Sequence, residues 1–295
     1  METLQALDKR IASIARLQGI VKSMKILAAV NIRQYEKALA SSTTSVEIIE
    51  LGLLALLREG IVLPRSQNEA AKRGGIVFGS DQGLCGRFNE RLAEYVGERL
   101  ASAPTTSASP AGLLVIGSRI AARLAAAGYA ITETFWLPGS VAGINTMVYQ
   151  ILLSLEQWRQ QEGIGTVEIF YNRHDRDNPA RPAHLPLLPL NNERLHELGK
   201  RRWPGRSLPC LRVPAEQLFS ALIRQYLFIT LYRVQTESLA SEQASRLLSL
   251  QNAEKNIEEH MEELRGEYRV QRQATITAEL LDLVAGYTTT VKKTD

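Results

Sequence analysis

Residues 4–39 read LQALDKRIASIARLQGIVKSMKILAAVNIRQYEKAL, and this stretch decides the fold. Its apolar residues recur every three or four positions and therefore share one face of a helix. The average spacing of 3.5 residues predicts one strand of a left-handed coiled coil. The stripe consists of Leu4, Leu7, Ile11, Ile14, Leu17, Val21, Met24, Ala28, Ile32, Tyr35 and Leu39. Because residues 1–57 contain no proline, we predict one helical arm over that range.

A second arm is predicted at the other end of the chain. Residues 215–285 contain no proline and only one glycine, Gly266, and they repeat the helical spacing of apolar residues. At about 1.5 Å of rise per residue the two arms would be roughly 80 and 100 Å long, well beyond the width of a small domain. They must therefore pack on each other or on a partner. We predict the second arm over residues 215–286 and a polar tail over residues 287–295.

The region between the arms, residues 72–214, has the pattern of an α/β domain. Short apolar runs that suit buried strands alternate with helical stretches, which favours a mainly parallel sheet with crossover helices. The predicted strands lie at residues 74–79, 113–117 and 166–171, and the predicted helices at 90–100, 118–127 and 141–161. By composition, ASAPTTSASPAG at residues 101–112 is a surface loop, and the proline-rich residues 173–214 are predicted to be extended or irregular.

Composition excludes several classes of protein. The chain has 295 residues, 45% of them hydrophobic, and no apolar run approaches 18 residues, so we expect no direct membrane span. The start METLQALDKRI resembles neither a secretory signal nor a transit peptide, which favours a cytoplasm-facing, bacterial protein. Two cysteines and four scattered histidines predict neither a disulfide framework nor a metal site.

Charge is concentrated in two places. Residues 1–40 carry seven basic and three acidic side chains, so the first arm is expected to meet an acidic or carbonyl-rich surface. A second basic cluster, KRRWPGR at residues 200–206, is short of aromatic residues and has Glu193 and Glu197 nearby. We therefore predict no nucleic-acid partner.

A glycine-rich turn, GSDQGLCG at residues 79–86, follows the first predicted strand. Such a turn can hold a phosphate on main-chain N–H groups, but here it lacks the Lys-Ser or Lys-Thr of a P-loop and the G-x-G-x-x-G spacing. Ser80 also lacks the G-x-S-x-G setting of a nucleophile. The alternative is a structural turn in which Asp81 or Ser80 caps the following helix and Gly83 and Gly86 shape the backbone. We predict no catalytic residue and no cofactor; a nucleotide-binding α/β protein and a coiled-coil scaffold remain alternatives.

Three separated motifs resemble the gamma subunit of F-type ATP synthases. SDQGLCGRFN at residues 80–89 is similar to the family's S-D-R-G-L-C-G-G-x-N. KSMKILAA at residues 22–29, with IASI at residues 11–14, is similar to K-A-M-x-M-V-A-A and I-x-S-V. LASEQASR at residues 239–246 resembles L-A-S-E-Q-A-A-R, and RQATITAEL at residues 272–280 resembles R-Q-A-S-I-T-x-E-L. The motifs have the family's order and extend over the whole chain.

The resemblance implies a fold and a function. The arms would form a long antiparallel coiled coil beside a central Rossmann-like α/β domain. The chain would be a non-catalytic rotor shaft inside a ring of alpha and beta subunits, with the epsilon subunit and the membrane c-ring as further partners. It would couple ion flow through the c-ring to ATP synthesis or hydrolysis at the beta subunits. Its place would be the cytoplasmic face of the bacterial plasma membrane, as a peripheral part of the complex.

The resemblance also implies roles for particular residues. Arg272, Gln273 and Thr277 match positions that contact loops of the surrounding ring. Positions of the torque-coupling region, where the two arms meet near the beta subunits, are matched by Met24, Lys25, Glu242 and Arg246.

This chain departs from the family pattern at a few places. Leu17-Gln18-Gly19-Ile20-Val21 replaces the common T-Q-K-I-T and puts a glycine into the helix at a cost of about 1 kcal/mol relative to alanine. Arg87 replaces a glycine, and the proline-rich residues 173–214 and the tail are unusual. These differences favour an alternative bacterial branch of the family.

Overall fold

A computed structural model gives the architecture of the chain. It describes residues 3–58, 72–102, 112–175, 178–190, 197–203, 205 and 212–291, with side chains up to residue 284. Most of the predicted surface loop at residues 101–112 and the end of the predicted tail lie outside the described residues.

Both predicted arms are confirmed as long helices. Helix α1 spans Leu4–Arg58, 55 residues, and the last helix, α5, spans Ala215–Val291, 77 residues. The absence of proline lets each helix continue without a break, and Gly19 and Gly266 are accommodated within them. Helix α5 extends to Val291, so the first part of the predicted tail is helical.

Contacts divide the chain into two compact units, and the first contains residues up to 27 together with residues from 247 onward. Within it the two helices run antiparallel: Lys25 pairs with Glu254, and Gln18 Nε2 donates to Glu258 Oε1 at 3.3 Å. As the residue number falls along α1, it rises along α5. Most of the predicted apolar stripe is at least partly buried within this unit, where Leu7, Met261 and Leu264 are 2–5% exposed. Leu17 departs from the prediction, because its side chain is 53% exposed.

The second unit, residues 28–246, contains the sheet. In chain order the elements are β1 (Lys72–Phe78), α2 (Phe88–Ala101), β2 (Leu113–Ile116), α3 (Ser118–Ala126), β3 (Ile131–Phe135), α4 (Val141–Glu162), β4 (Ile164–Arg173) and β5 (Arg181–Leu188). The five strands lie in the order β3-β2-β1-β4-β5, and every neighbouring pair is parallel except β4 and β5, which are antiparallel.

Each face of the sheet is covered by helices, which is why its strands are apolar on both sides. Alternate residues of β1 show this arrangement. Val77 packs in a cluster with α2 and α3, whereas Ile76 and Phe78 pack in a cluster that contains α4 and part of α5. The carboxyl end of β1 therefore lies between the two layers of helices.

Three predicted strands are confirmed as β1, β2 and β4, and two strands were not predicted. The third strand, β3, reads ITETF and exposes most of its side chains, so it has no apolar run. The fifth strand, β5, lies in the proline-rich region and contains Pro182 and Pro186. Proline is tolerated there because β5 is an edge strand, whose outward N–H groups are not needed by a neighbour.

One described helix, α1, has the length and local composition of a membrane span, with an 18-residue window of mean hydropathy 1.4 that is one-third buried. Core helices of soluble proteins pass the same test, so this is weak evidence. The expectation of no direct membrane span stays a prediction.

Candidate functional site

The glycine-rich turn, residues 79–86, leaves β1 at the carboxyl end of the sheet. Gly86 has φ +58°, in the left-handed region that favours glycine, and the preceding Leu84 shares this conformation at φ 62°. At Gly83 a Cβ atom would lie 3.2 Å from the Arg119 guanidinium carbon. The turn therefore brings its main chain close to the neighbouring helix α3.

Asp81 binds two main-chain N–H groups that are distant in sequence. Its Oδ1 accepts from Ser118 N at 2.7 Å, at the first residue of α3, and its Oδ2 accepts from Leu137 N at 2.7 Å, beyond β3. The prediction that Asp81 or Ser80 caps the helix after the turn is wrong. The N-cap residue of α2 is Arg87, which makes no side-chain cap hydrogen bond. The chain bends again between Asp81 and the start of α2, and the Asp81 carboxylate lies beside α3 instead.

Ser80 and Asn89 fix the base of the turn from within. Ser80 N donates to Asn89 Oδ1 at 3.1 Å, and Asn89 Nδ2 donates to Ser80 Oγ at 2.7 Å. Both residues are buried, so these bonds satisfy groups that water cannot reach. The base of the turn is thus held by its own hydrogen bonds.

The hydrogen bonds of Asp81 and Asn89 argue against nucleotide binding at the turn. A phosphate would need free N–H groups at a helix N-terminus. Here the carboxylate of Asp81 already occupies the N-terminus of α3, and Asn89 takes the N–H of Ser80. A second anion beside Asp81 would be repelled. Among the described residues no group of three or more His, Cys, Asp or Glu could hold a metal ion either.

Helix α5 is attached to the turn and its surroundings by three serine hydroxyls. Ser238 Oγ donates to Phe78 O at 3.2 Å, Ser241 Oγ donates to Pro179 O at 2.6 Å, and Ser245 Oγ donates to Cys85 O at 2.8 Å. The serines are spaced by three and four residues and therefore share one helix face. We call this set of residues, with Glu242 and Arg246, the α5 joint.

The α5 joint also contains a buried ion pair. Arg246 Nη2 lies 2.5 Å from Glu242 Oε1, and the side chains are 5% and 4% exposed. Arg246 Nε also donates to the carbonyl of Gly83 at 3.3 Å. Its Nη2 reaches the carbonyl of Gln82 at 3.5 Å. The arginine therefore ties α5 to the turn through charge-assisted hydrogen bonds.

Burial changes the proton affinity of this cluster. Desolvation raises the pKa of Glu242 above its usual value, and the charge and hydrogen bond of Arg246 oppose that shift. Burial likewise raises the pKa of Tyr35, a residue of α1, and the nearby Glu242 raises it further. The ion pair thus also faces α1, so α1, α5 and the turn meet at one point within this unit.

The sequence analysis assigned roles only to Glu242 and Arg246 of the joint, although Ser241 and Ser245 lie in the same motif. The helical spacing of the three serines was the available signal for a shared face. Their acceptors are main-chain carbonyls of distant segments, and a motif does not show which carbonyl a serine binds. Contact of Glu242 and Arg246 with a surrounding ring stays a prediction, and their side chains lie inside this unit.

The other predicted torque-coupling residues lie in the first unit. Lys25 is 31% exposed and pairs with Glu254, which is 15% exposed, so this ion pair links the two helices. Met24 is half-buried beside it.

The predicted ring-contact residues lie near the end of the described part of α5. Arg272, Gln273 and Thr277 are exposed, and Thr277 Oγ1 donates to the main-chain carbonyl of Gln273 at 2.8 Å. The structure thus leaves the Arg272 and Gln273 side chains accessible. Their contact with other subunits stays a prediction.

Comparison with known proteins agrees with the motifs. A model of the family described as ATP synthase matches residues 3–289. The ATP synthase gamma chain of the bacterium Salinibacter ruber is 30% identical over 303 aligned positions, covering 97% of each chain.

Solved structures share the fold at lower identity. A chain in the rotor of Euglena gracilis mitochondrial ATP synthase superposes with a TM-score of 0.66 at 15% identity, covering 92% of this chain and 98% of its own. A chain in the central stalk and c-ring structure of Tetrahymena thermophila mitochondrial ATP synthase gives a TM-score of 0.55 at 23% identity, covering 79% and 99%. From the family match over nearly its whole length and its likeness to a bacterial gamma chain, the chain belongs to the ATP synthase gamma family.

Proposed function

We propose that this chain is the central-stalk rotor subunit of an F-type ATP synthase. It couples ion flow through a membrane c-ring to ATP synthesis or hydrolysis at beta subunits and performs no chemistry itself. The observation that carries the proposal is the pair of long antiparallel helices, with the far part of α5 exposed on most of its surface. An exposed helix pair of this length provides a surface for partners. Subunits that surround it in a ring would make contacts that depend on its orientation.

Rotation can change nucleotide affinity only through contacts that differ between orientations. Arg272, Gln273 and Thr277 offer such contacts from the exposed end of α5, and Met24 and Lys25 offer them from the helix pair. Each surrounding subunit would meet a different side of the pair at each angle. The favoured state of its nucleotide site would change accordingly.

The α5 joint gives this rotor a rigid connection within the unit of residues 28–246. Three serine bonds, the buried ion pair and the arginine bonds to the turn hold α5 against the α/β domain. If only apolar contacts joined them, α5 could slide against the α/β domain when torque is applied, because the hydrophobic effect is not directional. Directed hydrogen bonds resist that slip.

The partners follow from the same assignment. We infer alpha and beta subunits around the helix pair, and an epsilon subunit and the c-ring against the α/β domain. The chain would lie at the cytoplasmic face of the bacterial plasma membrane without crossing it. The bacterial relative supports this location, and the coupled ion depends on other subunits.

The test is recovery of the complex. A small tag inserted between Thr105 and Ser109, outside the sequence ranges of α1 and α5, allows the complex to be captured from gently solubilised native membranes. We expect alpha, beta and the tagged chain at a ratio of 3:3:1, with ATPase activity in the eluate. Recovery of the chain alone, or bound only to itself, would overturn the rotor assignment and favour the scaffold alternative.

A second measurement addresses the nucleotide-binding alternative. Equilibrium dialysis of the purified chain against ATP and NAD is expected to show no binding, because the Asp81 carboxylate already binds the N-terminus of α3 and Asn89 accepts the N–H of Ser80. Binding that is lost in a Gly83→Ala variant would establish the alternative instead.

A further inference from the structure

A cavity of about 790 Å³ lies within the unit of residues 28–246, apart from the glycine-rich turn. Its volume is in the range of pockets that hold small organic molecules, roughly 300–1,000 Å³. Leu53 of α1, Ile229 of α5 and Leu187 of β5 form an apolar wall, and charged groups line the remaining surface. Apolar walls with a few polar groups are typical of ligand sites.

The arginines of this cavity differ in their partners. Arg173 Nε lies 3.2 Å from Glu237 Oε1, and Arg201 Nη1 lies 3.1 Å from Glu50 Oε2. Arg233 also lines the cavity, but it has no hydrogen bond or ion pair with any residue that the structure describes. Within the part of the chain that the structure describes, Arg233 is thus the lining arginine without an ion-pair partner.

Other lining groups do not neutralise Arg233. Tyr171 lies close enough for the two groups to interact electrostatically, but burial raises the pKa of its hydroxyl to about 12, with Glu237 adding to the shift. At neutral pH Tyr171 therefore keeps its proton and carries no charge. The third lining carboxylate, Glu197, is exposed. The described lining thus carries three carboxylates and three arginines, and the half-buried Arg233 is the arginine that forms no ion pair with any of them.

We propose that this cavity binds a small amphipathic monoanion, a carboxylate with an apolar body. The carboxylate pairs with the guanidinium group of Arg233, whose paired N–H donors match two carboxylate oxygens. The apolar body lies against Leu53, Leu187 and Ile229. The rotor function neither requires nor excludes this site, so failure of either proposal leaves the other standing.

Isothermal titration calorimetry of the full-length chain with three probes tests the chemical class of ligand. Decanoate carries both features, acetate carries only the carboxylate, and decyltrimethylammonium carries the same apolar body with the opposite charge. Decanoate and decyltrimethylammonium are used below their micellar concentrations. We expect decanoate to bind at one site, at least tenfold more tightly than either of the other probes.

Variants of Arg233 test whether this residue binds the carboxylate. Arg233→Gln removes the charge but keeps a polar, shorter side chain, and it is expected to weaken decanoate binding at least tenfold. Arg233→Lys keeps the charge without the paired donors and should lose less affinity. The control is Arg224→Gln, an exposed arginine of the same helix outside the cavity, which should bind decanoate like the parent chain. Circular dichroism shows whether each variant is folded.

Three results would overturn the proposal. One is equal binding of decanoate and decyltrimethylammonium, which would indicate unspecific apolar adsorption. Another is equal loss of affinity, or none, in the folded Arg233→Gln and Arg224→Gln variants. Tighter binding of acetate than of decanoate would also exclude the apolar body from recognition.

Discussion

Residues 238–246 and residues 270–284 belong to the same helix, but their surroundings are opposite. The first segment is mostly buried, and its serines, Glu242 and Arg246 all bond within the subunit. The second segment exposes large apolar side chains over most of its surface, namely Val270, Ile276, Leu280, Leu281 and Leu283 at 46–70%. Such exposure along one segment is typical of a surface that a partner covers.

The difference teaches that one helix can hold the subunit together at one place and offer itself to other subunits at another. Substitutions in residues 238–246 should therefore change the stability of the isolated chain. Substitutions in residues 270–284 should leave that stability unchanged and alter the activity of the assembled complex. The following predictions test this separation.

The largest effect is expected from Arg246→Ala. It leaves Glu242 buried without its partner and the carbonyl of Gly83 without its donor. Removal of one member of a buried pair costs about 3–5 kcal/mol. Thermal unfolding of the purified chain, followed by circular dichroism, should show a midpoint lowered by roughly 10 °C.

The matched control for that variant is Lys255→Ala. Lys255 and Glu259 form an exposed pair with the same four-residue spacing on the same helix. Exposed helix pairs contribute only about 0.3–0.5 kcal/mol, so this midpoint should hardly move. Equal shifts in the two variants would mean that the buried pair does not hold α5 in place.

The next effect is expected when Ser238, Ser241 and Ser245 are all replaced by alanine. Each substitution removes a hydrogen-bond donor to a main-chain carbonyl of the α/β domain, at about 1 kcal/mol each. Chemical denaturation should report a loss of about 3 kcal/mol in total.

Ser220→Ala provides the comparison for the serine variants. Ser220 Oγ donates to Glu216 O within the same helix, at an exposed position, so its loss should be close to neutral. A triple variant as stable as Ser220→Ala would show that the serine bonds are replaced by water at no cost.

The exposed end of α5 should behave differently. Arg272→Ala together with Gln273→Leu removes two polar side chains that are exposed in the described chain. Loss of about 1 kcal/mol of ring contact would lower coupled ATP turnover by about three- to tenfold, with unfolding and assembly unchanged. ATP hydrolysis and ion pumping by the reconstituted complex measure this. Unchanged turnover would remove both residues from the coupling mechanism.

The smallest effect is expected from Gly19→Ala, which should stabilise the chain by about 0.5–1 kcal/mol because alanine favours the helix. A Cβ atom at Gly19 meets nothing within 4 Å. At Gly52, by contrast, it would lie 3.0 Å from Leu222 Cδ1, so Gly52→Ala should gain less or lose stability. Calorimetric midpoints of the two variants test this, and equal gains would contradict the packing argument.

Much of the fold could be predicted from the sequence where one local signal is strong. Periodic apolar residues without proline fixed α1 and α5 to within a few residues, and apolar runs ending in glycine located β1 and β2. The strand β3 has no such apolar run, and Pro182 and Pro186 led to the prediction that the region of β5 is irregular. Both are edge strands, which pair with only one neighbour and need not have the apolar sequence of a central strand.

The candidate site was only partly predictable for a different reason. The motifs marked Asp81, Gly83, Glu242 and Arg246, but not what they touch. Asp81 bonds to N–H groups 37 and 56 residues away, and Arg246 bonds to a carbonyl 163 residues away. Such partners depend on how layers of helix and strand stack, which local propensity does not encode.

The two prolines of β5 have a consequence for the chain before it finds its partners. An open sheet edge is a template on which another copy can add a strand, and this is how many β-proteins aggregate. Pro182 and Pro186 carry no N–H, so β5 offers an interrupted row of donors, and the opposite edge, β3, is only five residues long. A newly made chain is therefore protected against polymerising through its sheet while it waits to be incorporated.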